Sequence, residues 1–125
     1  MTVARRRTGE IAEELVARRL GAAGWEIVER NARTRYGEID IVARDGATLV
    51  FVEVKGAREG TSFGPEKPIL AIGHRKQRRV RRLATAWMSE RRGRLPYAEI
   101  RFDAVGVTLD LHGRAVDVDY VKGAF

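Results

Sequence analysis

The sequence predicts a mixed α/β domain, a central sheet flanked by helices, in the order helix, three strands, helix, strand, with a short last strand added. Three observations carry this. Apolar residues recur at helical spacing in two segments: Ile11, Ala12, Leu15, Val16 and Leu20, and later Val80, Leu83, Ala84, Trp87 and Met88. Between them, in YGEIDIVARDGATLVFVEVKGA, residues 36–57, two valine-rich runs flank Asp45-Gly46 in the pattern of a β-hairpin. The 125 residues contain no Pro/Gly/Ser-rich linker and no internal repeat, which fits one domain, 1–125, with one core.

Each element has its own signal. TGEIAEELVARRLGAAG reads as the first helix, with Thr8 as candidate N-cap, acids in the opening turns, and Gly21 or Gly24 as the stop. WEIVERNAR is a short strand, and the hairpin supplies two more. REGTSFGPEKP is a loop punctuated by Gly60, Gly64, Pro65 and Pro68. The second helix runs from about Ile72 to Arg91 and is closed by Gly93 and Pro96. AEIRFDAVGVTLD is a strand, and RAVDVDYVK pairs with it as the last one.

Composition narrows the function. No apolar run is long enough to span a bilayer, and the basic start MTVARRRTGE has no apolar segment behind it, so neither a membrane span nor a secretory signal is expected. With no cysteine there is no disulfide framework and no thiolate metal site, and His74 and His112 are isolated. A cytoplasmic protein is the plain expectation. Net charge is +7, from twenty arginines and four lysines against seventeen acids, a balance that favours an anionic partner such as nucleic acid.

The hairpin carries charge where a buried strand should be apolar. If Asp45-Gly46 is the turn, Asp40 and Glu53 lie on a diagonal of one sheet face, with Cα atoms about 7–8 Å apart, and Lys55 shares that face. If the turn is Gly46-Ala47, Asp40 faces Glu53 directly. Either way the two carboxylates meet, and like charges this close raise each other's pKa unless a cation sits between them. Lys55 is one such cation. A hard divalent ion, magnesium or manganese, is another, because carboxylate oxygens are its preferred ligands. Of the helix acids, Glu10 and Glu14 point to solvent by the helical wheel. Glu13 lies at the edge of the apolar face and is the choice for a third carboxylate, with Glu10 second. The competing reading is a surface ion pair of Glu53 with Lys55.

Asp40, twelve intervening residues, and then EVK at 53–55 resemble the D…(D/E)-x-K signature of restriction-endonuclease-like nucleases. The longer string GEIDIVARDGATLVFVEVK more closely resembles the bacterial YraN-like family of uncharacterised proteins, themselves similar to archaeal Holliday junction resolvases. EELVARRLGAAGWEIVERNAR, SFG, RKQRRVRRLATAW, RFDAV and the closing AF extend the likeness over nearly the whole chain. The resemblance implies a restriction-endonuclease-like αβββαβ core. It implies Asp40 and Glu53 as metal ligands with the Val54 carbonyl as a further one, Lys55 acting on the attacking water, and Glu13 as the helix-borne acid. The chain departs from the pattern at Ile39, where other nucleases have proline, and at Gly56-Ala57, which precede Arg58 where the family continues with a polar residue and an arginine.

In the nuclease reading Arg33, Arg35 and Arg58 flank the carboxylates and are expected to contact phosphate; Lys76, one turn before Val80 on the apolar stripe, either approaches a phosphate as well or snorkels along the core edge. Arg75, Arg78 and Arg82 lie opposite that stripe and read as a solvated face. The expected function is a magnesium- or manganese-dependent endonuclease acting on structured or branched DNA. Symmetric cutting of a four-way junction would need two sites and hence a homodimer. The alternatives are a non-catalytic nucleic-acid-binding module on the same fold, or an accessory factor directed to RNA or to a protein partner.

Overall fold

The structure, a computed structural model, describes residues 3–60, 68–91 and 97–125. The elements are α1 (Val3–Ala22), β1 (Glu26–Thr34), β2 (Gly37–Asp45), β3 (Thr48–Arg58), a short 3-10 helix (Pro68–Ala71), α2 (His74–Glu90), β4 (Glu99–Leu109) and β5 (Ala115–Val121). This is the αβββαβ order with the added last strand. Gly64, Pro65, Gly93 and Pro96, expected to punctuate the loop and close the second helix, lie outside the described residues.

The strands form one mixed sheet in chain order. β1–β2, β2–β3 and β4–β5 are antiparallel, whereas β3 and β4 run parallel along their whole length. A parallel pair needs a crossover, and the segment containing α2 supplies it. Alternation along the strands then divides two cores. On one face Ile41, Ala43, Val50, Val52, Val105 and Val107 pack against Ala12, Val16 and Leu20 of α1. On the other, Val42, Leu49 and Phe51 pack against Leu83, Ala84 and Trp87 of α2. The far end of α2 is tied to β1 through Glu29, which accepts hydrogen bonds from Trp87 Nε1 at 3.1 Å and Arg91 Nη2 at 3.0 Å.

Two sequence expectations need correction. Thr8 is not an N-cap. The first helix begins at Val3, and Thr8 sits buried inside it, its hydroxyl donating to the Ala4 carbonyl at 2.8 Å. A mid-helix threonine can satisfy its hydroxyl on the preceding turn as readily as at a cap. The hairpin turn is Gly46-Ala47 rather than Asp45-Gly46, since Asp45 pairs with Thr48 and Gly46 takes the positive φ of +61°. That register sets Asp40 opposite Glu53.

The close approach of α1 to β3 depends on Gly56. A Cβ there would stand 2.8 Å from Ala12 Cβ and 3.1 Å from the Thr8 carbonyl oxygen. This explains the first departure after Lys55: the position lies beneath a helix. Arg58 then binds α1 from below, donating through Nε to the Thr8 hydroxyl at 3.1 Å and through Nη1 to the Asp110 carbonyl at 3.4 Å.

Candidate functional site

Strand residues two apart normally share a face, but Ile39 and Ile41 do not. Ile41 belongs to the α1 core and Ile39 to the α2 core, so alternation breaks at Asp40 between them. In the β1–β2 register the residue opposite Asp40 is Asn31, which holds a φ of +50°. Asparagine tolerates this left-handed conformation better than most L-residues. The β2–β3 ladder ends at Ile41–Val52, and beyond it β2 pairs with β1 alone.

Asp40 fills the gap that opens there. Its Oδ2 accepts the Val54 amide N–H at 2.8 Å, in place of a ladder partner. A strand residue's N–H and C=O point toward the same neighbour, so the Val54 carbonyl faces this gap as well. Lying in the gap, the Asp40 carboxyl is reached from both sides of the sheet. It is close enough to Glu53 to share a hydrogen bond and lies within the fields of Glu13 from α1 and Lys76 from α2.

All three acids are held toward their protonated forms. Burial raises Glu13 to about 7, with the Asp40 charge adding to it and Arg30 opposing. Burial likewise raises Glu53 to about 7, with Asp40 adding and Lys76 and Arg79 opposing. Asp40 is raised chiefly by burial, against the Val54 hydrogen bond and Lys76. Glu13 Oε1 is buried with no hydrogen-bond partner among the described residues, an arrangement that costs free energy and that native structures seldom tolerate.

A second buried carboxylate shows the contrast. Asp103, fully buried in β4, receives donors from Arg101 Nε at 2.8 Å and Nη2 at 3.1 Å, Tyr120 Oη at 2.6 Å and the Gly123 N–H at 2.9 Å. That network is saturated and pins the C-terminal segment to the sheet, whereas Asp40 has the Val54 N–H, Glu53 only the opposing charges of Lys76 and Arg79 besides Asp40, and Glu13 Oε1 no partner among the described residues. The three acids do not form a ready-made cage: among the described residues no group of three Asp, Glu or His side chains converges closely enough to hold a metal ion as it stands.

The remaining candidates are placed as follows. Lys55 is half-buried on β3, two residues from Glu53, and on the same face by strand alternation. Lys76 is half-buried and, with Arg79, is a cation whose field reaches Glu53. Arg33 pairs with Glu38 at 3.2 Å on the surface. Arg35 lies over the Tyr36 ring, 5.1 Å from its centroid. Arg58 is the outlier, its donors engaged with Thr8 and Asp110 inside the fold. Glu10 and Glu14 are exposed, Glu14 pairing with Arg18 at 3.0 Å.

Sequence reasoning did not find the groove between the β1–β2 turn and α2. It encloses about 370 Å³ and is lined by Tyr36, Arg75, Arg78, Arg79, Arg82 and Leu83. Gly37, with φ +139°, lets the turn close onto α2, a Cβ there standing 3.0 Å from Arg79 Nη2. Arg82 lies over Tyr36 at 4.1 Å from the ring centroid. The arginines opposite the apolar stripe are exposed, as expected, but they are also one wall of a groove. The available signal was Tyr36, an aromatic residue in a two-residue turn with no core to enter.

Among the described residues no helix is long and apolar enough to cross a membrane. Comparison with known proteins places the chain. The model of a family described as "Uncharacterised protein family UPF0102" matches residues 12–107, which include Glu13, Asp40, Glu53 and Lys55. A UPF0102 protein of Moorella thermoacetica is 43% identical over 125 residues, covering all of both chains. One of Streptomyces griseus is 49% identical over 120 residues, 96% of this chain and 97% of its own. One of Nocardia farcinica is 48% identical over 117 residues, 94% of this chain and 87% of its own. With a match over most of its length and relatives of this identity, the chain belongs to the UPF0102 family.

Proposed function

We propose that the protein is a magnesium- or manganese-dependent phosphodiesterase of nucleic acid, an endonuclease acting on structured or branched DNA. The observation that carries this reading is the Asp40–Glu53 pair, two half-buried acids brought together at the β2–β3 gap and held toward protonation by desolvation, against the opposing charges of Lys76 and Arg79. The donor set suits a hard divalent ion: Asp40 and Glu53 as ligands, the Val54 carbonyl facing the same gap, and the orphaned Glu13 oxygen at hand. It does not suit zinc, since no thiolate or paired imidazole is available. Such an ion, when bound, supplies polarisation of the phosphate and a water acidified toward neutrality.

The chain's own residues then divide the work. Asp40 and Glu53, once deprotonated, would hold the ion with their charges. Lys55, beside Glu53 on β3, would place its ammonium toward the attacking water. Lys76 and Arg79, whose fields reach Glu53, hold the non-bridging phosphate oxygens. Arg33 and Arg35 add charge along the approach, and such phosphate contacts position a strand without reading its sequence.

The test is incubation of the pure protein with labelled duplex, single-stranded, flap and four-way DNA, with magnesium or manganese and with chelator. Metal-dependent product that Glu53→Gln abolishes is expected. The second reading is a non-catalytic binding module, since among the described residues no three acids converge closely enough to hold an ion as they stand. It becomes the better account if every structure is bound and none is cut.

A further inference from the structure

We propose that the groove between the β1–β2 turn and α2 receives an unpaired nucleic-acid strand, a base stacking on the Tyr36–Arg82 pair while phosphates lie along Arg75, Arg78 and Arg79. The inference deepens the nucleic-acid reading above and rests on it.

Charge gives the first argument. On α2, Arg75 lies three and four residues before Arg78 and Arg79, and Arg82 four and three residues after them, spacings at which like charges destabilise a helix. Among the described residues no carboxylate forms an ion pair with any of them. Elsewhere the fold does pair its arginines, as Arg91 with Glu29 and Arg101 with Asp103. The groove therefore gathers guanidinium groups that have no ion-pair contact among the described residues, and their planar donors suit phosphate.

The ring gives the second. Tyr36 keeps 44% of its surface in solvent, although Arg82 and Arg35 both lie over the ring. A guanidinium packed on an aromatic face leaves its in-plane donors free and extends the flat surface. That combination is a stacking platform. A duplex has no free base face to offer it, whereas an unpaired strand does. The turn is fixed for the purpose: the Thr34 hydroxyl accepts the Tyr36 N–H at 3.1 Å and donates to the Gly37 carbonyl at 3.0 Å.

Position gives the third. Arg79 lines the groove and its charge also reaches Glu53, so a strand lying in the groove leads toward the carboxylates.

The experiment is fluorescence anisotropy without metal, using short labelled thymidylate and uridylate strands, a duplex of equal length, and an abasic strand of equal charge. The expected result is tighter binding of the unpaired strands than of the duplex, Tyr36→Ala weakening them by roughly ten-fold or more, and Tyr36→Phe restoring affinity. On the abasic strand Tyr36→Ala should match wild type. The preference between deoxy and ribo strands identifies the natural source. Equal losses on unpaired, duplex and abasic ligands, or displacement by inorganic polyphosphate as readily as by an oligonucleotide, would overturn the inference. Loss of metal-dependent cutting with this binding pattern intact would overturn only the nuclease reading.

Discussion

Asn31 is the residue on which the site turns, although it carries no chemistry. Its left-handed φ lies opposite Asp40, where β2 changes face. Asn31→Gly should leave stability within a few tenths of a kcal/mol, whereas Asn31→Val should cost about 1–3 kcal/mol because a β-branched residue resists φ +50°. Urea unfolding of the two variants checks this. A pH test belongs to the same scale. Glu13 and Glu53 titrate from 4.5 in the unfolded chain and at about 7 in the folded one. Between these values the folded protein holds protons that the unfolded chain has released, so their contribution to stability falls as pH rises through that window and does not recover above it. The urea midpoint of metal-free Glu13→Gln should therefore fall less from pH about 5 to about 8 than that of wild type. Manganese should raise the wild-type midpoint most at the upper end. A Gln variant with an unchanged pH slope would show that Glu13 is not held protonated.

At the scale of elements, most of the architecture was legible. Helical spacing fixed both apolar stripes, and valine-rich alternation with Asp-Gly located the hairpin, because these patterns record one-sided burial directly. The turn residues were legible only as a choice between two even-length loops; both co-locate Asp40 and Glu53, so the pairing survived the correction. Parity missed the geometry, since the carboxyl lies in a gap in the sheet and not on a face. That gap depends on a φ angle and on where a ladder stops, neither of which leaves a composition signal. Gly56 was visible as a departure whose reason appears only once α1 is seen against β3. Gly56→Ala should cost about 1–3 kcal/mol in unfolding experiments, because the added methyl meets the Thr8 carbonyl as well as Ala12. α2 carries a different tension. Its N-cap, Gly73, has no side-chain bond and its first turn no acid, while HRKQRRVRR crowds positive charge at the positive end of the dipole. Arg75→Glu should therefore stabilise the fold by about 0.3–1 kcal/mol while weakening nucleic-acid affinity, measured by thermal unfolding and anisotropy together. That pair of outcomes would mark Arg75 as serving binding rather than the fold.

Over the whole molecule, the net charge of +7 would supply affinity for nucleic acid without geometry, and on the proposed function binding and cutting should separate. Glu53→Ala removes a negative charge facing phosphate and should leave DNA affinity equal or higher while cleavage is lost. Replacing Arg33 or Arg35 should lower the slope of log affinity against log salt by about one per lost phosphate contact. Salt titrations of the variants decide it. Arg58 should behave differently, costing stability first, because it joins α1 to the end of β4.

The ending of the β2–β3 ladder at Ile41 has a mechanical consequence. From that point outward the β1–β2 hairpin is a propped beam, its root in the sheet and its tip, Tyr36, resting on α2 through Arg82. The Asp40–Val54 hydrogen bond sits at the root, where the bending moment of a loaded beam is greatest. If a strand binds at the tip as proposed, its load would be passed to that carboxyl, and grip at one end would be coupled to alignment at the other.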